Sequence, residues 1–150
     1  MQVNRVEFWL RAIAIVVAAF GFAAVGQQVA LAAPQAQAAF SVTATPSTGL
    51  TEGAVITVAV SGFGAGEAVY AGQCAEPSAG VKVCSQDVLP LTTDASGSGS
   101  GPLTAHRTFT AITWDGRPWG TVDCASVAGG CHISAGSSAT RNAVTPISFR

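Results

Sequence analysis

Four cysteines in two close pairs constrain this chain more than any other feature of its sequence. Nine residues separate Cys74 from Cys84, and six separate Cys124 from Cys131. Four cysteines allow three pairings, and loop-closure entropy favours joining neighbours, Cys74 to Cys84 and Cys124 to Cys131. Bridges of that span contribute on the order of 2–3 kcal/mol each, a useful share of the ~5–15 kcal/mol that holds a domain together. The competing use of these residues is a zinc site completed by His132. The gaps are not the short ligand spacings of such sites, so no metal is expected.

Disulfides need an oxidising compartment, and the N-terminus supplies the route to one. Arg5 and Arg11 flank an uncharged apolar run, Ala12 to Val25. Ala36-Gln37-Ala38 then places small residues where a signal peptidase cuts. Residues 1–38 are predicted to be a secretory signal peptide and residues 39–150 a single extracellular domain. The apolar run is too short for the roughly 20 residues of a membrane span, so no membrane association is expected after cleavage. Two alternatives remain: cleavage after Ala33, and an uncleaved anchor lengthened by Val29-Ala30-Leu31-Ala32-Ala33.

The domain itself carries few charges. Lys82, Arg107, Arg117, Arg141 and Arg150 stand against Glu52, Glu67, Glu76, Asp87, Asp94, Asp115 and Asp123. Without a basic patch there is no electrostatic means of holding a phosphate backbone, so direct nucleic-acid binding by this surface is not expected. Gly, Ser, Thr, Ala and Val dominate, the composition of short strands and tight turns. Phe40–Thr45 alternates and predicts a first strand. Ala54–Val60 is the strongest strand signal, with Ile56, Val58 and Val60 on one face. Gly62-Phe63-Gly64-Ala65-Gly66-Glu67 is a glycine-rich turn and not a nucleotide fingerprint, because Glu67 replaces the third glycine and no helix follows. Ala68–Cys74 predicts a third strand. Val88–Thr93 predicts a short strand whose Pro90 marks an edge or bulge. Asp94–Gly101 is flexible turn material, and Leu103–Phe109 continues the sheet. Asp115-Gly116 predicts a two-residue hairpin turn between Ile112–Trp114 and Arg117–Trp119. Gly120–Cys124, His132–Ser134 and Ala143–Phe149 complete the pattern. Strands spaced roughly 8–12 residues apart predict an all-β sandwich.

Several of these segments resemble the neocarzinostatin family, secreted enediyne-carrier apoproteins of actinomycetes. The residues are Thr45-Pro46-Ser47-Thr48-Gly49-Leu50, Gly72-Gln73-Cys74-Ala75 with its spacing to Cys84, Thr93-Asp94-Ala95-Ser96-Gly97, Asp115 through Cys124, and Ile147-Ser148-Phe149. The Trp119-Gly120-Thr121-Val122-Asp123-Cys124 run and the first cysteine spacing are the most specific. The resemblance implies an immunoglobulin-like, seven-stranded antiparallel β-sandwich with a side cleft, and the same two local disulfides. It implies a monomeric, non-enzymatic carrier that holds a small apolar polycyclic ligand, a non-covalent enediyne-type chromophore, with no other cofactor. The family is antimicrobial through its cargo, and DNA is reached only indirectly, by the released ligand.

Against the family pattern, Glu76 stands where an aromatic follows Cys-Ala. Lys82 replaces a leucine, Leu89 an aromatic beyond the second cysteine, and His132 a glutamine after the last cysteine. The aromatic before the Asp-Gly turn is kept as Trp114, and Gly129 and Gly130 lengthen the second stapled loop. The expected ligand contacts are Trp114, Cys74, Cys84, Gln73, Glu76, Lys82, Leu89, Ile112 and His132, and no catalytic residue is expected. Each has a plainer reading. Trp114 can stack on a flat ligand or simply cover the adjacent sheet. The Cys74–Cys84 sulfurs can face unsaturated groups or serve only as a staple. Glu76 and Lys82 can pair across their loop. His132 can donate to a ligand oxygen or sit exposed on a strand. Trp119, Phe63, Phe109 and Phe149 are expected in the core. Two other functions compete with the carrier: a secreted immunoglobulin-like interaction module without a small ligand, and a hydrolase, which requires a histidine bonded to a serine hydroxyl. Intact mass spectrometry of the secreted protein should give residues 39–150 less four hydrogens. A heavier chain, or free thiols, would refute the cleavage or the bridges.

Overall fold

The computed structural model describes residues 39–139 and 142–150. The predicted signal peptide, residues 1–38, lies outside them. Nine strands follow in order: β1 (Ser41–Thr45), β2 (Ala54–Ser61), β3 (Ala68–Ser78), β4 (Val81–Thr92), β5 (Gly99–Ala105), β6 (Thr108–Thr113), β7 (Pro118–Asp123), β8 (Cys131–Ser137) and β9 (Asn142–Ile147). They form two antiparallel sheets, ordered β1-β2-β5 and β7-β6-β4-β3-β8-β9. The all-β sandwich is as expected, but the described strands number nine and not seven. The extra two are the arms of the Asp115-Gly116 hairpin, β6 and β7. Without them, three strands face four.

Alternation builds the core. On β2, Ile56, Val58 and Val60 turn inward and are almost fully buried. From the larger sheet, Val69 and Ala71 on β3, Val83 on β4, Ile133 and Ala135 on β8 and Ile147 on β9 meet them. Phe63 and Phe109 are buried as predicted, and Phe149 packs partly buried against the same cluster. A side chain such as Ile56, fully removed from water, stabilises the fold by about 1.5–3 kcal/mol.

Five expectations about local structure need correction. Val88–Thr93 is not a separate short strand but the second half of β4. Its Pro90 is tolerated because β6 pairs only with Val83–Ser85, which leaves that flank of β4 open. Leu103–Phe109 is not one strand. The chain leaves the smaller sheet after Ala105, turns at His106 and Arg107, and enters the larger sheet as β6. The serine-glycine stretch also contributes more than a turn, since Gly99–Gly101 pairs with Val58–Val60. The Asp115-Gly116 hairpin exists, but its loop holds three residues, Trp114, Asp115 and Gly116. The Thr113 amide donates to Arg117 O at 2.9 Å, and the Gly116 amide to Thr113 O at 2.9 Å. Gly116 sits at φ 78°, the left-handed residue that a three-residue hairpin needs. Finally, Trp119 is 45% exposed and not in the core. It is the unpaired residue of a bulge, because Ala111 pairs with Gly120 while Ile112 pairs with Pro118. The bulge takes Trp119 out of the strict in-out alternation.

One turn is locked by a close approach. Gly97 has φ 75°, and a Cβ there would lie 2.0 Å from the Phe63 carbonyl oxygen. Phe63 N donates to Gly97 O at 3.2 Å, which ties the glycine-rich turn to the β4–β5 connection. Gly97→Ala should lower unfolding free energy by about 2 kcal/mol or more, from left-handed strain plus overlap. A denaturant titration with an unchanged midpoint would contradict this.

Candidate functional site

Residues directly opposite in antiparallel strands share a face, so the register alone locates the predicted site. Cys84 pairs with both Ile112 and Cys74, Cys74 with His132, and His132 with Pro146. Pro118 pairs with Ile112 at the other end. These residues form one lateral row across the outer face of the larger sheet, on the side away from the core. The Cys74–Cys84 bridge spans its centre, with S–S 2.08 Å. The second bridge, Cys124–Cys131, closes the other stapled loop with S–S 2.02 Å.

The next row along the strands reads Val88, Gly72, Ser134, Val144. Its two ends are large and its middle is small. Val88 and Val144 are 50% and 57% exposed, and three strand spacings separate them, about 14 Å. One row further, Tyr70 stands 55% exposed between Pro90 and Gly136. The face therefore carries a shallow trough, with Gly72, Ser134 and Gly136 as floor, apolar ridges to either side, and the disulfide with His132 at one end. The width suits a fused-ring system. Trp114 stands at the β6–β7 tip, two residues beyond Ile112. It is 93% exposed, too bare to be covering the sheet.

Glu76 and Lys82 lie two residues from Cys74 and Cys84, at the end of the trough where the β3–β4 connection turns. They do not pair with each other. Glu76 Oε1 instead accepts from the Gly80 amide at 3.1 Å and caps that connection. Both act on His132. Burial is the main cause that holds the His132 imidazole below its ordinary pKa; the Lys82 ammonium adds to this, and the Glu76 carboxylate opposes it. Its Nε2 is buried and has no hydrogen-bond partner among the described residues. His132 is thus a neutral, half-buried ring beside the disulfide and not an exposed strand residue.

Two predicted contacts face the other way. Gln73 is 2% exposed. Its Nε2 donates to His106 O at 2.5 Å, its Oε1 accepts from His106 N at 2.9 Å, and Nε2 lies 3.2 Å from Cys124 Sγ. It is a buried clamp inside the sandwich. Leu89 pairs with Ala71 on the core side, and its Cδ1 would lie 3.1 Å from a Cβ on Gly101 of β5. Plain alternation already turns both inward, since Gln73 adjoins the outward Cys74 and Leu89 lies five residues from the outward Cys84; they are expected at the site because of the resemblance. The β4 bulge, with Ser85, Gln86 and Asp87 opposite Gln73 alone on β3, keeps that alternation but shifts the pairing by two residues. The outward residue is Val88. Its place beside Gly72, like the places of Val144, Pro118 and Pro146 in their rows, is set by strand register.

The arrangement required of a hydrolase is not seen in the hydrogen bonds of either histidine. His106 Nδ1 lies 2.5 Å from Glu52 Oε1, and its Nε2 lies 4.0 Å from Asp87 Oδ2. Among the described residues, no group of three or more His, Cys, Asp or Glu could hold a metal ion. An open recess lies in the corner between β4 and β5, away from the disulfide row. The trough remains the candidate site because most of the predicted contacts and most of the exposed apolar side chains converge on it.

The model of the neocarzinostatin family matches residues 42–149. The chain belongs to the neocarzinostatin family. The antitumor antibiotic C-1027 apoprotein of Streptomyces globisporus is 43% identical over 125 residues, covering 83% of this chain and 81% of that protein. Actinoxanthin, also of Streptomyces globisporus, is 42% identical over the same shares. The solved structure of macromomycin superposes with TM-score 0.69 at 38% identity, over 75% of this chain and all of its own. The immunoglobulin-like sandwich and the two bridges are therefore family features, and the outer-face residues are this member's own version of the surface.

Because burial and Lys82 both disfavour the imidazolium, His132 should titrate below 6.5, the value of an unperturbed histidine. Lys82→Gln should raise that midpoint and Glu76→Gln lower it, as read from the ring carbon protons by NMR. The folded state binds this proton less readily than the unfolded chain does. Stability should therefore fall as pH drops from 6.5 through the folded value. A midpoint unmoved by both substitutions would contradict the placement.

Proposed function

We propose that this protein is a secreted, non-enzymatic carrier that shelters a flat, apolar, reactive chromophore on the outer face of its larger sheet. The observation that carries the reading is the trough itself: a floor of Gly72, Ser134 and Gly136 between Val88 and Val144, ending on the Cys74–Cys84 bridge and His132. A relative at 43% identity is named an antitumor antibiotic apoprotein, which supports a protein made to hold a separate active compound. The enediyne class of cargo comes from the family resemblance.

The mechanism is sequestration. The ridges and the disulfide exclude water and nucleophiles from one face of the ligand, and Trp114 can fold over the other. Covering about 250 Å² of apolar surface gains roughly 6 kcal/mol, from which the cost of immobilising the ligand is subtracted. Polarisable sulfur suits an unsaturated ring system. His132, neutral at pH 7, contributes a flat surface without a charge. The protein acts as a monomer, and its antimicrobial effect on DNA runs through the released cargo. The chain as a whole holds 7 Lys and Arg against 8 Asp and Glu, a balance that gives it no grip on a polyanion.

Native mass spectrometry with an absorbance scan, on protein purified cold and dark from its own producer, should show a bound species of several hundred daltons (an order-of-magnitude expectation for a cleft ligand) absorbing beyond the tryptophan band. Trp114→Ala should weaken retention about threefold to tenfold, the value of one aromatic stacking contact. A protein that carries nothing and takes up no flat polycyclic probe would overturn the carrier reading and favour the interaction module.

A further inference from the structure

A second recognition feature lies where the chain crosses between sheets. β6 pairs with β4 only at Val83–Ser85, and β3 resumes its pairing with β4 only at Val88. Gln86 and Asp87 therefore have no register partner on either flank. Such a bulge aims side chains out of the sheet. Opposite them, β5 is the end strand of the smaller sheet. The two open strand edges border a corner cavity of about 520 Å³ that is open to solvent, within the range of small-molecule sites. It touches the outer-face trough only through Val88.

The lining is mixed and its charge has one sign. Val88, Pro102 and Leu103 supply an apolar wall. Asp87, Gln86, Thr104 and His106 supply the polar groups. Behind the imidazole, Glu52 accepts from His106 Nδ1 and from the amides of Arg107 and Thr108. Those bonds, the His106 one foremost, keep the Glu52 carboxyl below its ordinary range, hence ionised at neutral pH. Two carboxylates thus stand against one imidazole, so the corner is negative in either protonation state of His106. The nearest cation in sequence, Arg107, is turned to Asp123 at 3.5 Å. Among the described residues, no Lys or Arg lines the cavity.

We propose that this corner binds a small amphipathic ammonium ion, with its cationic nitrogen at the Asp87 carboxylate and its hydrocarbon part against Val88, Pro102 and Leu103. The Asp87 side chain is 71% exposed and, among the described residues, its only ionic neighbour is His106 Nε2 at 4.0 Å, so the carboxylate has acceptor capacity left. An ammonium group brings up to three donors, which Asp87, the Gln86 amide oxygen and the Thr104 hydroxyl can accept. A neutral alcohol of the same shape lacks the charge term, and an anion is repelled. This inference does not depend on the carrier reading, because it concerns another surface and a different ligand chemistry.

Amide NMR titration of the purified, oxidised protein with cyclohexylammonium tests it, with cyclohexanol as the uncharged control. Saturable shifts are expected at Gln86–Leu89 and Leu103–His106. Asp87→Asn should weaken the affinity about tenfold, the share of a charge-assisted hydrogen bond, with the spectrum elsewhere unchanged. Cyclohexanol should be weaker by a similar factor. Absence of saturable shifts, an equal response to cyclohexanol, or an affinity indifferent to Asp87→Asn would overturn the proposal. So would shifts centred on Cys74, Cys84 and His132, which would put the amine in the trough. Each outcome leaves the test of the carrier reading untouched.

Discussion

A single buried amide holds the two sheets in their relation. Gln73 projects from the middle of β3 into the interior and satisfies both backbone groups of His106, the residue at which the chain leaves one sheet for the other. Burying a primary amide without partners costs several kcal/mol, so this contact is favourable only in one arrangement. It thereby selects that arrangement. Glu52 braces the same turn from outside through the His106 ring and the next two amides. Between them, an inner and an outer side chain fix where β5 ends and β6 begins. The placement of the β6–β7 hairpin, with Ile112 and Trp114 on it, depends on that corner.

Two consequences follow for the outer face. The ladder between β3 and β8 is regular from Val69 to Ala75, so Tyr70, Gly72 and Cys74 line up with Gly136, Ser134 and His132. The ladder between β3 and β4 is broken at the bulge, so the β4 side of the trough is offset. That break sets Val88, in place of Gln86, opposite Gly72, and the corner cavity lies behind it. One irregularity thus shapes two surfaces of opposite character, an apolar one outside the sheet and a negative one at its edge.

The sandwich was legible in the sequence because burial writes itself as alternation. Ile56, Val58 and Val60 announce an inward face without any knowledge of their partners. The disulfides were legible because loop closure depends only on sequence distance. The site was legible only as far as strands stay regular. Cys74, Cys84, Ile112 and His132 share a row, as the spacing and the resemblance together suggested. Gln73 and Leu89 were misassigned although alternation from Cys74 and Cys84 turns both inward, because the resemblance outweighed that pattern; what one sequence does not show is the β4 bulge, which moves Val88 into register with Gly72. Trp119 was misplaced for a different reason, a one-residue bulge in β7 that appears only in its pairing with β6. His106 gave no signal at all, since its importance lies mainly in backbone groups that every residue carries.

The trough is made of positions that contribute little to the core. Val88 and Val144 lie half in water, His132 meets the interior on one side only, and Gly72 has room for growth: a Cβ there would find the Asp87 carbonyl oxygen at 3.5 Å, an ordinary contact. The recognition surface is therefore largely uncoupled from the folding problem. Its depth, polarity and curvature can drift, or be chosen, residue by residue while the inward faces keep the sandwich intact. A scaffold built this way changes its ligand by exchanging the upholstery and leaving the frame alone.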